Sequence, residues 1–176
     1  MIETREVRKS YGTTQALDAL TLTVNPGEVL GLLGPNGAGK TTTIHLLAGF
    51  LQPDSGSVII DGIDVVKNPD GARGRLGYIP ENVALYPFLS AMENLQHFSA
   101  LAGLKFRRDE LAKKLVTSGL ASDAIHRPVS TFSKGMRQKV GIAIATSKEA
   151  KALVLDEPAS GLDPHASHEL SMLVRK

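Results

Sequence analysis

Apolar positions along the chain change their spacing several times, and the first stretch predicts an antiparallel β layer. Residues 1–9 alternate loosely between apolar and polar side chains, which is typical of an edge strand. A second strand is predicted where apolar residues recur at almost every other position, at Leu17, Leu20, Leu22 and Val24. Val58–Ile60 predicts a third strand, and the Asp61-Gly62 pair after it is typical of a hairpin turn.

Continuous apolar runs predict buried strands of a second, parallel layer. The run Glu28–Leu33 precedes a glycine-rich turn, and that turn precedes Thr43–Gly49, where apolar residues have helical spacing. The run Ala152–Leu155 has the pattern of a central parallel strand. Gly77–Pro80 predicts a shorter strand that ends at the proline. Strands and helices in this arrangement indicate an α/β fold.

Helical spacing dominates the middle of the chain. Two amphipathic segments lie between about residues 90 and 117, and Gly103 separates them. Their predicted apolar faces are Leu95, Phe98, Leu101 and Ala102 in the first segment and Leu111, Leu115 and Val116 in the second. A further helix is predicted over residues 133–147, with Met136, Val140, Ala143 and Ile144 facing inward. Asp163-Pro164 is a start signal for a last helix.

Composition places the chain among ordinary globular proteins and excludes several other classes. Its 176 residues suit one domain, and its hydrophobic and charged fractions are 42% and 22%. The net charge of +2, with basic and acidic residues intermixed, gives no reason to expect nucleic-acid binding. There is no cysteine, which excludes disulfides and thiolate metal sites. No apolar run reaches about 18 residues, so any membrane role is expected to come through a partner.

The glycine-rich turn has the spacing of a phosphate-binding loop: a glycine, four residues, then glycine, lysine and threonine. Its residues are Gly34, Pro35, Asn36, Gly37, Ala38, Gly39, Lys40, Thr41 and Thr42. Glycines let backbone N–H groups converge on a polyphosphate, and the helix N-terminus behind them favours an anion. We expect Lys40 to reach the terminal phosphates and the Thr41 hydroxyl to ligate Mg²⁺. The alternative is an ordinary glycine-rich turn, and the predicted strand and helix on either side argue against it.

Two carboxylates directly follow the apolar run Ala152–Leu155. At the carboxyl end of a strand, Asp156 and Glu157 would lie at the edge of the sheet where α/β proteins bind ligands. We expect Asp156 to hold Mg²⁺, directly or through water. Glu157 would orient and polarise the water that attacks in phosphoryl transfer. The alternative is that the pair only ends a strand at the surface.

With these motifs in this order, the chain resembles the ATP-binding subunit of an ABC transporter over almost its whole length. The phosphate-binding loop resembles the family's Walker A, and Leu153–Glu157 resembles Walker B with the catalytic glutamate. Ser160–Asp163 resembles the D-loop, and Thr131–Gln138 stands where the signature motif belongs. The resemblance implies a P-loop NTPase core with an antiparallel β subdomain. It also implies a small helical subdomain at about residues 82–148.

The resemblance implies that nucleotide is held between two subunits. In the family, two ATP-binding subunits pair head to tail, and each ATP lies between the Walker motifs of one and the signature of the other. Ser133 and the Gly135 backbone would then contact the γ-phosphate held by Lys40 of a second copy, which a helix N-terminus favours. Taken alone, Ser133 has the simpler role of capping its own helix. Tyr11 resembles the aromatic residue that stacks on adenine, with Ala16 as a second candidate contact.

Two positions depart from the family's usual pattern. The signature has Lys134 where the usual form has a glycine, and this lysine would add positive charge near the partner's nucleotide. The Q-loop position, usually glutamine, is Glu81, which would approach Mg²⁺ or the attacking water as a charged ligand. The alternative for Glu81 is a solvated loop residue. Both departures resemble the branch of the family that pairs with ABC-2-type exporter permeases.

The chain ends soon after Glu157, before the position of the family's switch histidine. His165 and His168 follow the D-loop too closely to take its place, and we interpret them as surface residues. We therefore expect a single ATP-binding domain, residues 1–176, that lacks its C-terminal part. Such a chain would bind ATP with Mg²⁺ and hydrolyse it poorly.

An apolar cluster after the Q-loop position, Tyr86–Leu89, would by resemblance face an integral membrane permease. The alternative is that it packs inside the helical subdomain. The resemblance thus predicts an ATPase that uses ATP and Mg²⁺, forms a homodimer on ATP binding and powers an exporter. It would lie on the cytoplasmic face of the cell membrane through the permease. The alternatives are a soluble non-transport ABC protein and an ATP-binding module with little turnover.

Overall fold

The computed structural model describes residues 1–148 and 150–174, with the backbone alone for residues 173 and 174. The chain divides into two compact units. The first unit comprises Met1–Tyr78 and Glu149–Asp156, and the second comprises Ile79–Lys148 and Glu157–Lys176. The backbone therefore passes from the first unit to the second, returns, and passes to the second again.

The first unit is built on a four-stranded antiparallel sheet. Its strands are β1 (Ile2–Tyr11), β2 (Thr14–Val24), β3 (Ser55–Ile60) and β4 (Ile63–Asp64), in the order β2-β1-β3-β4. The predicted antiparallel layer is confirmed, but the edge position predicted for residues 1–9 is wrong. β1 pairs with β2 on one side and with β3 on the other. Alternation reports which face of a strand is buried and not how many neighbours the strand has.

Two β-bulges explain the imperfect alternation of the first two strands. Between Leu17 and Leu20 the extra residue lies in β2, where Ala19 has a left-handed backbone with φ of 51°. β1 carries a matching irregularity at Glu6, with φ of 48°. A bulge adds one residue to one strand, and it thereby returns the next apolar side chain to the inner face.

β3 and β4 form the hairpin that the Asp61-Gly62 pair predicts. Both residues have left-handed φ, 49° for Asp61 and 78° for Gly62, as tight hairpin turns require. The sheet shares an apolar core with helix α1 (Lys40–Leu47). Buried members of this core include Val7, Leu17, Ile44, Leu46, Val58 and Ile60.

A short helix, α2 (Pro69–Arg75), precedes β5 (Leu76–Ile79) and has no counterpart among the predicted elements. The sequence does not predict this helix, because it contains two glycines and has no apolar periodicity. A local signal is nevertheless present, because the Asn68 side chain accepts a hydrogen bond from the Gly71 backbone at 3.0 Å. β5 pairs with β6 (Ala152–Leu155) in a two-stranded sheet, so both of these predicted strands are confirmed.

The buried strand predicted at Glu28–Leu33 is wrong. This segment has no regular secondary structure, and Val29 and Leu33 are 69% and 95% exposed. A strand forms only where neighbours take up its backbone hydrogen bonds, and within the described residues neither sheet includes this segment. The central position predicted for Ala152–Leu155 is also not observed. β6 has one neighbour in the described part of the chain, and Leu153 is 36% exposed.

The second unit is helical. Its helices are α3 (Ala91–Leu101), α4 (Arg108–Thr117), α5 (Lys134–Ser147) and α6 (Pro164–Val174). The first three share an apolar core that includes Leu95, Leu111, Leu115, Val140 and Ala143. Local capping explains where α3 begins, because Ser90 and Glu93 bond reciprocally across its first turn.

Three predicted inward positions lie at the surface instead. Leu101 is 70% exposed, Val116 is 47% exposed, and Ala102 is also exposed. The buried face of α3 runs through Leu95 and Ser99, four residues apart. Leu101 lies six residues after Leu95, on another side of a helix with 3.6 residues per turn. The apolar character of Leu101 therefore does not predict that its side chain faces the core.

Candidate functional site

The turn Gly34–Gly39 leads directly into helix α1 and is shaped by left-handed glycines. Gly37 and Gly39 have φ of 85° and 82°. At Gly39 the space is also closed, because a Cβ there would lie 2.6 Å from the Ala16 carbonyl oxygen and 2.7 Å from Leu17 Cδ2. Only glycine avoids both the backbone strain and the clash. The turn therefore packs against β2, and the Ala16 backbone borders it.

Helix α1 begins at Lys40, and among the described contacts no side chain caps its first N–H groups. The Thr43 hydroxyl donates to the Gly39 carbonyl at 2.9 Å and is buried, so it has a structural role. The Thr41 side chain is exposed. Uncapped N–H groups at a helix N-terminus carry partial positive charge and favour an anion. The geometry fits a phosphate group.

The ammonium group of Lys40 lies across the same turn. Its Nζ donates to the Gly34 carbonyl at 2.7 Å and to the Pro35 carbonyl at 2.8 Å. These two bonds hold a full positive charge beside the glycine turn. Charge and backbone donors thus act together in attracting a polyanion.

Tyr11 ends β1 and is about half exposed, at 49%. Lys9 Nζ lies 5.9 Å from the centroid of this ring. An exposed aromatic face is suited to stacking on a nucleobase. The adenine contact of Tyr11, like that of Ala16, stays a prediction.

Asp156 follows β6 in the first unit, and its described neighbour is Tyr78 on β5. Burial raises the pKa of the Tyr78 hydroxyl, and the nearby Asp156 carboxylate raises this pKa further. The Tyr78 ring packs edge to face on Phe50, with 5.2 Å between centroids. Tyr78 is not among the predicted site residues. The sequence could have indicated Tyr78 by its position near the end of the predicted strand, two residues before Pro80.

Glu157 opens the return of the chain to the second unit, and its side chain is exposed. Its backbone is left-handed, with φ of 42°, which is uncommon for a residue other than glycine. The Glu157 carbonyl accepts the Ser160 N–H at 2.9 Å and closes a tight turn. Such local strain is a feature that often accompanies functional sites.

Glu81 contacts two other predicted site residues from distant parts of the sequence. Its Oε1 accepts a hydrogen bond from the Ser160 hydroxyl at 3.0 Å and lies 3.3 Å from Lys134 Nζ. These contacts hold the pKa of the Glu81 carboxyl below its ordinary value, with the Ser160 hydrogen bond as the largest cause and Lys134 next. The predicted Q-loop, signature and D-loop positions therefore meet at one carboxylate. Glu81 is a loop residue whose side chain is 41% exposed and whose carboxylate nevertheless has two partners within the chain.

Ser133 and Asp163 each cap the helix that follows them. Ser133 Oγ accepts the Met136 N–H at 3.2 Å, and Asp163 Oδ1 accepts the Ala166 N–H at 2.9 Å. The Ala166 bond is the main cause that lowers the pKa of the Asp163 carboxyl. The simpler role predicted for Ser133 is confirmed. Its contact with a second copy's phosphate stays a prediction.

Two buried amides in the second unit organise the loops near these residues and are not among the predicted site residues. Gln138 is 2% exposed, and its Nε2 donates to the Glu81 carbonyl at 2.8 Å. Asn94 is fully buried and makes four hydrogen bonds to the backbone of residues 86–90. The sequence signal for Gln138 is its spacing of four residues from Lys134, which puts the two on the same face of α5.

The structure thus sorts the predicted site residues into two sets. The first unit holds Tyr11, Ala16, Gly34–Thr42 and Asp156, and the second holds Glu81, Ser133–Gly135, Glu157, Ser160 and Asp163. Within the first set, the turn Gly34–Gly39 and Ala16 are in contact. Within the second set, Glu81, Lys134 and Ser160 are in contact.

The first unit has a glycine turn of phosphate-binding type in an α/β fold and the second unit is helical, which is the organisation of an ATP-binding cassette. The profile of the ABC transporter family matches residues 17–160. The chain belongs to the ABC transporter ATP-binding family, as the order of its motifs indicates.

Individual relatives agree with this assignment. The uncharacterized ABC transporter ATP-binding protein YdbJ of Bacillus subtilis (strain 168) is 44% identical over 156 residues, 89% of this chain and 50% of that protein. The Nod factor export ATP-binding protein I of Cupriavidus metallidurans is 38% identical over 169 residues, 96% of this chain and 56% of that protein. The chain therefore spans about half the length of the curated relatives it matches.

A solved structure shares the fold. The dimeric structure of MJ0796, a bacterial ABC transporter cassette, superposes with a TM-score of 0.84 and 25% sequence identity. The match covers 99% of this chain and 81% of that chain. The predicted class, α/β with a P-loop NTPase core, is confirmed.

Proposed function

We propose that this chain binds ATP with Mg²⁺ and, paired with a second copy, supplies ATP hydrolysis to a membrane exporter. The observation that carries the proposal is the turn Gly34–Gly39, where left-handed glycines pack against β2 and lead into an uncapped helix N-terminus. Lys40 adds its charge beside that turn. Family membership supports ATP as the nucleotide.

Thr41 and Asp156 are the residues that we assign to Mg²⁺. Thr41 is exposed in the first turn of α1, and Asp156 follows β6 in the same unit. Among the described residues no three carboxylate or histidine side chains form a metal cluster. This suits Mg²⁺, which keeps waters and takes phosphate oxygens alongside one or two protein ligands. When bound, Mg²⁺ would neutralise charge on the phosphates.

Lys40 and Glu157 have the catalytic roles in this proposal. The Lys40 ammonium would neutralise charge on the terminal phosphates, which is the main demand of phosphoryl transfer. The exposed Glu157 carboxylate would orient the attacking water and accept its proton. The left-handed backbone of Glu157 closes a tight turn with Ser160 and leaves the carboxylate exposed, where it can meet a water molecule.

A second copy would complete the nucleotide site through Ser133 and the Gly135 backbone. In the cap of α5, Ser133 Oγ acts as an acceptor, so its own hydroxyl proton remains available to a phosphate oxygen. Capping and a phosphate contact are thus compatible. The dimeric structure of the similar cassette supports the pairing.

The apolar cluster of residues 86–89 is the surface that we assign to the permease. Phe88 is 89% exposed, so the alternative of packing inside the subdomain is wrong for this residue. The loop is nevertheless rigid, because Asn94 binds its backbone and Leu89 and Pro87 accept bonds from Val129 and Ser130. An exposed aromatic on a fixed loop is suited to docking.

The cellular location and the direction of transport follow from this partner. None of the described helices is long and apolar enough to cross a membrane. We place the chain on the cytoplasmic face of the cell membrane, held there by the permease. The relative from Cupriavidus metallidurans is an export protein, which supports an exporter for this chain.

A binding and turnover assay tests the proposal. The chain should bind a fluorescent ATP analogue in the presence of Mg²⁺, and Lys40→Ala should weaken this affinity by about tenfold or more, because a charge-assisted contact is lost. Glu157→Gln should still bind the analogue but release no phosphate. Lys67→Ala, a change at an exposed lysine outside the turn, is the matched control and should alter neither property. A wild-type chain that binds no nucleotide would refute the proposal.

The same assay separates the alternatives. Binding without measurable phosphate release would favour the ATP-binding module with little turnover. Co-purification with an integral membrane protein would separate a transporter subunit from a soluble non-transport ABC protein.

A further inference from the structure

The carboxylate of Glu81 joins residues that are far apart in the chain. Lys134 lies 53 positions and Ser160 lies 79 positions further along, yet both side chains reach the same oxygen, Oε1. The Lys134 side chain is 25% exposed and that of Glu81 is 41% exposed, so the pair is partly shielded from water. We call Glu81, Lys134 and Ser160 the Glu81 cluster.

Backbone contacts strengthen the same junction. Gln138 binds the Glu81 carbonyl at 2.8 Å, so residue 81 is tied to α5 by its backbone as well as by its side chain. Gly161 adjoins Lys134, because a Cβ at Gly161 would lie 3.6 Å from Lys134 Nζ and 3.7 Å from its Cδ. The lysine therefore lies over the turn that contains Ser160.

Electrostatics explain why Lys134 needs this partner. Lys134 is the first residue of α5, where the helix dipole disfavours a cation, and the first turn of α5 contains no acidic residue. Glu81 supplies the missing negative charge from another segment. The two residues that depart from the usual family pattern, Glu81 and Lys134, therefore compensate each other.

We propose that Glu81 is a positioning residue, whose carboxylate holds the start of α5 and the Ser160 turn in one arrangement. Lys134 is then engaged within its own chain and does not extend toward the nucleotide of a second copy. Glu81 acts in this way through its contacts with Lys134 and Ser160. The consequence for turnover rests on the proposed function, in which Ser133 and the Gly135 backbone, at the start of α5, contact the nucleotide of a second copy.

Lysine acylation of the full chain, followed by mass spectrometry, tests the pairing without nucleotide. Glu81→Gln should raise the rate of acetylation at Lys134 by about two- to fivefold, because the lysine loses the ion pair that holds its Nζ against the carboxylate and becomes more accessible to the reagent. Ser160→Ala should leave the rate at Lys134 nearly unchanged, because its hydroxyl bonds to the carboxylate and not to the lysine. An unchanged rate at Lys134 in Glu81→Gln would overturn the proposal.

Lys139 is the internal control. It lies on the same helix, its side chain is 23% exposed, and it pairs with Glu169 at 2.8 Å. Its acetylation rate should rise in Glu169→Gln and stay constant in Glu81→Gln. If both lysines became more reactive in Glu81→Gln, the cause would be a general loosening of the second unit, and the proposal would fail.

Kinetics of four proteins test positioning itself: wild type, Glu81→Gln, Lys134→Gly and the double variant. Each single change should lower kcat for ATP several-fold while the affinity for a fluorescent ATP analogue stays within about twofold, because the Glu81 cluster does not include the phosphate-binding turn. The double variant removes both charges and should recover turnover to within about twofold of wild type. If the kcat of the double variant, taken relative to wild type, is no higher than the product of the two single-variant ratios, the proposal is contradicted. A wild-type chain without nucleotide binding would instead refute the proposed function, and acylation would still decide the pairing.

Discussion

Replacing Gly39 with alanine should destabilise the first unit through two separable effects. Gly39 has φ of 82°, a backbone conformation in which alanine is strained. The added Cβ would also lie 2.6 Å from the Ala16 carbonyl oxygen and 2.7 Å from Leu17 Cδ2. Because the first of these atoms belongs to the backbone of β2, it yields less readily than a side chain does.

The magnitude follows from the two terms. A non-glycine residue in the left-handed region costs about 1 kcal/mol, and overpacking of a buried position costs about 1–3 kcal/mol. Gly39→Ala should therefore lower the free energy of unfolding by about 2–4 kcal/mol. With a urea m-value of about 2 kcal/mol/M for a chain of this size, the unfolding midpoint should fall by about 1–2 M.

Two neighbouring glycines provide matched controls in urea titrations followed by circular dichroism. Gly37 has φ of 85°, and a Cβ added there would meet no atom within 4 Å, so Gly37→Ala should show only the strain of about 1 kcal/mol. Gly31 has neither a left-handed φ nor a close neighbour, and Gly31→Ala should stay within about 0.5 kcal/mol of wild type. The reasoning is refuted if Gly37→Ala costs as much as Gly39→Ala, or if Gly39→Ala is neutral.

Three further predictions concern the loops and the sheet. Asn94→Ala should lower the free energy of unfolding by about 2–4 kcal/mol in urea titration, because backbone groups of residues 86–90 lose buried partners. Phe88→Asp should abolish co-purification with the proposed permease while unfolding stays within about 0.5 kcal/mol of wild type, because Phe88 is 89% exposed. Asp54 has its pKa lowered, mainly by the Lys9 side chain and then by the Ser10 N–H. The stability that Asp54 adds is thus present above its unfolded pKa of about 3.9 and is lost as pH falls through the lower folded value, so wild type and Asp54→Asn should begin to converge in stability below about pH 4 and become equal only below the folded pKa.

Each of these has its own control. Gln96 lies on the exposed side of α3, and Gln96→Ala should be almost neutral beside Asn94→Ala. Leu101 is another exposed apolar residue, and Leu101→Asp should retain the permease that Phe88→Asp loses. For the pH series, a stability gap between wild type and Asp54→Asn that widened in acid would contradict the sign of the pKa shift.

Signals that act within a few residues predict the structure correctly. The Asp61-Gly62 turn, the Ser133 cap and the Asp163 cap each depend on hydrogen bonds or φ angles inside one turn of chain. The phosphate-binding turn is of the same kind. Its glycines and lysine are adjacent, and the helix that completes it follows at once.

Features that depend on distant neighbours are predicted poorly. The apolar run Glu28–Leu33 has the pattern of a buried strand, yet a strand needs partners that the run itself does not specify. For the same reason the pattern of β1 does not reveal its second neighbour. Leu101 and Val116 lie at the surface because apolar character does not determine which side of a helix faces the core.

The sequence by itself determined the family, the order of the motifs and the chemical types that each motif contains, because these are properties of short segments. Only the tertiary structure decided what those residues contact. It showed that Gly39 must be glycine because β2 lies against it, and that Glu81 faces Lys134 and Ser160. The physical reason is that packing and ion pairing act over a few ångströms in space, and the fold alone brings together residues that lie 53 and 79 positions apart along the chain.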